Sequence, residues 1–328
     1  MDRAKGLVNM GNTCYLNASL QCLAACYPLN IYLLHPARKL KLNEPDARLT
    51  ETYIQLLNAL FLPSGDKTVF PKMFKDILNL IEPRFNNNEQ HDAHECITYI
   101  LEILHKSLRE DYPYNFSGDN MPLYQIEWYK FLKSENSVIS HLFYGQLQTQ
   151  IRCSVCDQSS FQYDPFHCLS IPLSTPQITQ GIPTPPVTLE QSLELFSAVE
   201  ILCDENAWEC PTCKKKTKSL QQIGLWKLPQ IFLIHLKRFN GIQKIRYEIQ
   251  FPARMVIQEP CSSEMKQYEL YGIVNHQGEL NFGHYTSFVR IIDNWFFVND
   301  TQVGAVQFGE ILKSDQPYIL FYIRKNSN

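Results

Sequence analysis

The stretch Gly6-Leu-Val-Asn9-Met-Gly11-Asn12-Thr13-Cys14-Tyr-Leu-Asn-Ala-Ser-Leu20 changes character at Cys14. Ahead of it stand turn-forming residues. Behind it Leu16, Leu20, Leu23 and Ala24 recur at i, i+4, i+7 and i+8, the spacing of one buried helix face. Gly11, Asn12 and Thr13 are the turn and cap residues expected just before a helix. The thiol is therefore expected at a helix N-terminus, where the positive end of the macrodipole favours a thiolate, the form that attacks carbonyls. The plainer reading is a buried cysteine with no chemistry. The turn-rich lead-in and a histidine segment 270 residues later argue against it.

That segment is Asn281-Phe-Gly283-His284-Tyr-Thr-Ser-Phe-Val-Arg-Ile-Ile292. Residues 285–292 are rich in β-branched and aromatic side chains and read as a strand. Asp293-Asn294 supplies a turn, and Trp295-Phe-Phe-Val298 reads as the returning strand, ending in Asn299-Asp300. The hairpin brings Asn299 or Asp300 back toward His284. A two-residue turn at Asp293-Asn294 would pair His284 with Val303, so a wider or bulged connection is expected. A cysteine, a strand histidine and a nearby amide or carboxylate are the parts of a cysteine-peptidase triad.

Outward from these two segments the chain divides by pattern. Residues 1 to about 110 read as mostly helical, with helix-period apolar positions over 49–60, 71–81 and 89–108. Residues 111–122 look irregular. From about 138 the pattern is one of strands and turns, and Ser174 to Pro186, with four prolines, reads as an exposed loop. Helices followed by strands make the fold class α+β. No linker or internal repeat is visible, so 1–328 is expected to be one domain.

A net charge of −3 and a pI near 6.3 give no support for nucleic-acid binding, and Lys214-Lys215-Lys216 reads as a solvated hairpin tip. No apolar run is long enough to span a membrane, and residues 1–6 hold no signal-peptide core. Eleven cysteines with two CxxC pairs argue for a reducing compartment, cytoplasmic or also nuclear. The pairs are Cys153-Ser-Val-Cys156 and Cys210-Pro-Thr-Cys213. Four thiolates can hold Zn2+ tetrahedrally in a closed, structural site. The 53 residues between the pairs exceed the usual ribbon interval, so the knuckles must lie on separate hairpin tips.

Gly-Leu-x-Asn-x-Gly-Asn-Thr-Cys-Tyr-x-Asn from Gly6, Gly-His-Tyr-Thr from Gly283 and Trp-x-x-x-Asn-Asp from Trp295 together resemble the ubiquitin-specific proteases, the papain-like deubiquitinases. Three further segments match that family in order: Glu89-Gln90-His91-Asp92-Ala93-His94-Glu95, Trp208-Glu-Cys210-Pro-Thr-Cys213, and the strand from Leu228 to Lys237-Arg238-Phe239. The resemblance implies a helical thumb (about 1–120), a β-sheet palm (about 121–328) and zinc-bearing β fingers (about 148–225). It implies a nucleophile Cys14, a proton carrier His284 and an orienting Asn299, with Asp300 as helper or substitute. It further implies that Asn9, with the Cys14 backbone N–H, faces the oxyanion, and that Asp92 and Glu95 engage the basic tail of ubiquitin. Asn9 as a turn former, and Asp92 and Glu95 as ordinary first-turn acids of a helix beginning near Asn88, are the plainer alternatives. His91, His94, His235 and His276 are read as structural. The expected activity is hydrolysis of the bond after ubiquitin's C-terminal glycine, by a monomer whose partners are ubiquitin and ubiquitinated proteins. The alternatives are a protease for a ubiquitin-like modifier and a catalytically silent ubiquitin-binding module.

Overall fold

Seven helices are described in the first 143 residues of the chain: α1 (Cys14–Ala24), α2 (Tyr27–Leu34), α3 (Pro45–Phe61), α4 (Lys72–Ile81), α5 (Ala93–Ser107), α6 (Leu123–Ser134) and α7 (Val138–Phe143). The computed structural model describes residues 4–36, 45–63, 65–87, 89–112, 120–174, 186–241, 243–279, 282–312 and 316–325. The proline-rich loop expected over 174–186 lies outside these residues except at its ends, and so do residues 113–119 of the stretch read as irregular.

Two helix boundaries depart from expectation for local reasons. The helix expected near Asn88 begins at Ala93, because Asp92 caps it: Asp92 Oδ1 accepts the N–H groups of His94 and Glu95 at 2.6 and 3.3 Å. Helix also continues past residue 120 through α6 and α7. The second starts at a reciprocal Ser137–Ser140 capping box, with bonds of 2.9 and 3.1 Å. The first helix is buried on every side, where an amphipathic face was expected. Its polar side chains each donate a hydrogen bond: Asn17 Nδ2 to Asp300 Oδ1 (2.7 Å), Ser19 Oγ to Tyr15 O (2.6 Å), Gln21 Nε2 to Lys5 O (2.8 Å), while Asn17 Oδ1 has no partner. Paired in this way, polar side chains can be buried without a large desolvation cost.

The remainder is strand-rich. In chain order we label β1 (Gly145–Cys153), β2 (Ser159–Phe166), β3 (Cys168–Ile171), β4 (Glu200–Leu202), β5 (Trp208–Cys210), β6 (Lys215–Thr217), β7 (Ser219–Lys227), β8 (Ile231–Leu236), β9 (Arg254–Glu259), β10 (Glu264–Gly278), β11 (Gly283–Ile291), β12 (Asn294–Asn299), β13 (Gln302–Val306) and β14 (Pro317–Arg324). The large sheet runs β13-β12-β11-β10-β14-β8-β3, with β9 on the first part of β10. A second sheet runs β2-β1-β7-β4, and β5 and β6 form a hairpin beyond it.

The large sheet is apolar on both faces. Ile231, Leu233, Ile319 and Phe321 face α1 and the other helices, while Phe232, Ile234, Leu320 and Tyr322 face a second core on the far side. This is period-two alternation with both sets buried, so the strands read as continuous apolar runs. The helix that begins at Cys14 lies against β11 and β10 within the first core.

The β11–β12 connection corrects the sequence reading. Ile291 pairs with Asn294, so the turn is the two residues Ile292–Asp293, one position earlier than expected, with no bulge. The ladder runs to Ser287 opposite Val298. One step further lies Asn299 opposite Thr286, which puts His284 and Asn299 on the same face as diagonal neighbours, a spacing that long side chains span.

One buried cation ties the segment after β8 to β14 and to residues 245–247. Arg238 is fully buried, and its guanidinium donates to the carbonyls of Pro317 (2.5 Å), Ile245 (3.2 Å) and Tyr247 (3.1 Å). Arg238→Met is expected to lower stability by about 3 kcal/mol, since buried carbonyls lose their charged donor. A denaturant midpoint unchanged from the native chain would show that these bonds hold nothing.

Candidate active site

Cys14 is the first residue of α1 and is buried. The loop ahead of it is folded by side chains. Gly11 and Asn12 take positive φ of 94° and 52°, conformations that glycine and asparagine tolerate. Thr13 stands at the cap position without a side-chain cap bond; its Oγ1 instead accepts Met10 N–H at 2.9 Å. Asn9 Oδ1 collects Gly11 N–H (3.0 Å), Thr13 N–H (3.2 Å) and Thr13 Oγ1 (3.2 Å). That leaves Asn9 Nδ2 directed to Asp300 Oδ2, at 2.9 Å.

His284 meets Cys14 from β11. Its Nε2 lies 2.7 Å from Asn299 Oδ1, which leaves Nδ1 as the nitrogen free to interact with the Cys14 sulfur. The interaction with Cys14 is the main reason its pKa rises to about 9. Asn299, the charge of Cys14 and Asp300 add to the rise, and burial opposes it. The imidazole is thus a cation at neutral pH, beside the Cys14 sulfur at a helix N-terminus.

Asp300 occupies a positive-φ position (50°) in the two-residue turn between β12 and β13. Its carboxylate takes Asn9 Nδ2 on one oxygen and Asn17 Nδ2 on the other, and its carbonyl takes Leu7 N–H at 2.8 Å. These bonds fit a helper that holds Asn9. They do not fit a substitute for Asn299 at the histidine.

Three residues that the sequence reading left without a role support the site. Gln90 Oε1 accepts Gly283 N–H at 2.8 Å, which links the start of α5 to the strand of His284. Asn17 holds Asp300, and Tyr318 donates to Asp92 Oδ2. Gln90 and Asn17 belong to the motifs quoted above; Tyr318 stands in an apolar strand with no local signal. A Cβ on Gly283 would lie 2.0 Å from His276 Nε2, so only glycine fits there. His276 is buried and held down to about 4 by that burial, with Lys244, Arg238 and His284 adding to the effect.

Asp92 stands at the start of α5 with both carboxylate oxygens engaged, one by the helix amides and one by Tyr318. Glu95 is exposed in the first turn. The other histidines make packing contacts. His91 Nε2 lies 2.7 Å from Asn87 Oδ1, and its ring packs on Tyr15 and Phe85. His94 stacks on His235 with centroids 4.2 Å apart, and His235 Nδ1 lies 2.9 Å from Ser170 Oγ.

Away from this site, at the tips of the second sheet and of the β5–β6 hairpin, the sulfurs of Cys153, Cys156, Cys210 and Cys213 all lie within 4.8 Å of one another. Cys153–Cys213 and Cys156–Cys210 are 4.0 and 3.6 Å apart. Four sulfurs about 2.3 Å from one tetrahedral ion would be roughly 3.8 Å apart. Val155 N–H and Cys213 N–H point at Cys153 and Cys210 sulfurs, each at 3.4 Å. The donor set and its spacing fit a tetrahedral metal.

Comparisons with known proteins give the family. The family model for ubiquitin carboxyl-terminal hydrolase matches residues 5–322. Rat ubiquitin carboxyl-terminal hydrolase 21 is 30% identical over 350 residues, covering 97% of this chain and 61% of its own length. A probable ubiquitin carboxyl-terminal hydrolase 4 of Schizosaccharomyces pombe is 30% identical, covering 98% and 58%. The chain thus spans about three fifths of the length of these relatives. Among solved structures, a SAGA DUB module containing Ubp8, bound to monoubiquitin, matches with a TM-score of 0.77 at 26% identity, over 99% of this chain and 70% of that one. The chain belongs to the ubiquitin carboxyl-terminal hydrolase family.

The histidine gives a direct test. An NMR titration of His284 is expected to show a midpoint near 9, falling toward the ordinary histidine value of about 6.5 in Cys14→Ala. Asn299→Ala should lower it less. A midpoint that stays near 9 without the thiol would mean that Cys14 is not its main partner.

Proposed function

We propose that the chain is a cysteine deubiquitinase that hydrolyses the bond after the C-terminal glycine of ubiquitin. The observation that carries this is the Cys14–His284–Asn299 constellation, in a chain of this family. A structural neighbour bound to ubiquitin aldehyde, at 26% identity and a TM-score of 0.75, supports the substrate assignment.

The chemistry follows from the protonation state. Cys14 thiolate attacks the glycine carbonyl carbon, and the oxyanion forms near Asn9 Nδ2 and the Cys14 backbone N–H. Asn9 Nδ2 has two hydrogens; Asp300 takes one and leaves the other for the oxyanion. Protonated His284 gives its proton to the leaving lysine amine, the C–N bond breaks and a thioester remains. Neutral His284 then takes a proton from water, whose hydroxide oxygen attacks the thioester and restores the Cys14 thiolate. Asn299 keeps the ring oriented through Nε2.

For the ubiquitin tail we assign Glu95, exposed at the start of α5, and Asp92 beside it. Asp92 also caps the helix, so its part in tail binding adds to a structural one. At Cys153, Cys156, Cys210 and Cys213 we assign a structural Zn2+, which would take all four thiolates and supply a cross-link with no open position for substrate. For its location we assign a cytoplasmic or nuclear setting, which the eleven cysteines with two CxxC pairs support. Among the described residues, no helix is long and apolar enough to cross a membrane.

Two experiments test these readings. A ubiquitin C-terminal electrophile should form a covalent adduct with the native chain and none with Cys14→Ala, which should also lose turnover of a ubiquitin–fluorophore substrate. An adduct only with a probe built on a ubiquitin-like modifier would shift the assignment to that modifier, and binding without any turnover would make the chain a silent module. Separately, Cys210→Ser should release zinc and lower the melting temperature while Cys14 still reacts with the probe. Elemental analysis finding no zinc in reductively purified native protein would remove the metal assignment.

A further inference from the structure

A cavity of about 890 Å³ opens between α2, the end of α1 and the tip of the β11–β12 hairpin. It is unrelated to the catalytic residues in position. Cys14 opens α1, and the cavity meets that helix at Ala24, about 15 Å along the axis at 1.5 Å per residue. His284 lies near the start of β11, and the cavity meets that hairpin at Ile291 and Ile292, roughly 25 Å along the strand. The cavity therefore touches the far ends of the two elements that carry nucleophile and base.

Its walls are apolar and partly exposed. Tyr27, Ile31 and Ile292 are 69%, 51% and 63% exposed, large values for side chains of this kind grouped about one opening. Ile292 is also strained. It has φ 56° at the first position of the two-residue turn, where glycine is the usual residue and a β-branched one is an outlier. An isoleucine held there, exposed and against its backbone preference, is an unexplained cost for the hairpin itself.

The rim has a definite sign. None of the described lining residues is acidic, and Arg290 lines the cavity. Arg290, Arg254 and Lys325 all converge on one carboxylate, Glu269, at 3.1, 2.9 and 2.7 Å. Of these only Arg290 lines the cavity; Arg254 and Lys325 join it through the shared Glu269 carboxylate, so the cluster that reaches the cavity at Arg290 carries three cations against one anion, in a chain whose net charge is −3. We propose that this groove is a docking site for an amphipathic helical segment of a partner protein, apolar on the face that enters and acidic along its flank. An anionic membrane would supply the same charge, but the apolar residues here line a concavity, which receives a segment better than it inserts into a bilayer. An occupant would bridge α1 and the β11–β12 hairpin at their distal ends.

The test uses the full chain and a fluorescein-labelled amphipathic helix of about eighteen residues, with leucines at i, i+3, i+4 and i+7 and glutamates beside them. A matched helix with lysines in place of the glutamates is the control. The acidic helix should bind with Kd on the order of 10 µM, and the lysine helix at least about tenfold more weakly. Ile31→Asp should weaken the acidic helix about tenfold. Ile292→Gly should weaken it similarly while melting no lower than the native chain, because glycine relieves the strained turn. That pairing of lost binding with retained stability separates a docking residue from a merely structural one. Equal affinity for both helices, affinity unmoved by either substitution, or preferential binding to phosphatidylserine vesicles would overturn the proposal. So would sedimentation showing a dimer that Ile31→Asp dissociates, since the occupant would then be a second copy of the chain.

Discussion

Everything at the candidate active site depends on how the carboxylate of Asp300 joins two distant parts of the chain. Asn9 and Asn17, on either side of Cys14, each donate to one of its oxygens, and Leu7 N–H donates to its carbonyl. Gly6 lets this approach happen, since a Cβ there would lie 2.6 Å from Asp300 O. Hydrogen bonds to an ionised acceptor are stronger than neutral ones, more so where water is scarce. The clamp thus sets the position of the cysteine loop relative to the hairpin that carries Asn299. The bonds that fold the loop therefore also fix where Cys14 stands relative to Asn299 and, through Asn299, to His284.

Electrostatics at the histidines follow from a similar economy of space. His284 and His276 lie on paired strands on either side of the Gly283 backbone, and two cations at that separation would repel. Burial decides between them. His276, enclosed by Phe239, Tyr285 and Tyr318, stays neutral, while His284, bonded to Cys14 and Asn299, keeps its proton. A neutral neighbour therefore leaves the imidazolium undisturbed. Gln90, just ahead of α5, accepts the Gly283 N–H and so fixes the backbone next to His284.

Much of this was legible in the sequence because it is local or carried by spacing. The start of α1 at Cys14 followed from its turn residues and apolar period, and the α+β order followed from the change of period along the chain. The two CxxC pairs announced a cluster because a thiolate pair at that spacing has few other uses. What was not legible is what depends on long-range packing. The polar residues Asn17, Ser19 and Gln21 made α1 look amphipathic, yet each finds a hydrogen-bond partner, and nothing in the sequence names those partners. The hairpin turn was placed one residue late because Asp293-Asn294 is the better turn sequence; the chain instead places Ile292 in the strained position. The bonds of Asp92 to its helix and to Tyr318 were likewise hidden, since a tyrosine in an apolar strand reads as core.

The two ends of the molecule are held by different physics, which explains why the cysteine cluster lies where it does. The large sheet has apolar cores on both faces and needs no further cross-link. The second sheet does not: along β2 every residue but Phe166 is at least partly exposed, and the β5–β6 hairpin has only Cys210 and Thr217 buried. Too little apolar surface is removed from water there to offset the entropy of ordering the strands. Four sulfurs at the tips, with two backbone N–H groups already pointing at them, supply the missing constraint once a metal joins them. Because those tips share no core with Cys14 and His284, loosening them should change how the molecule holds a large substrate before it changes the bond-breaking step.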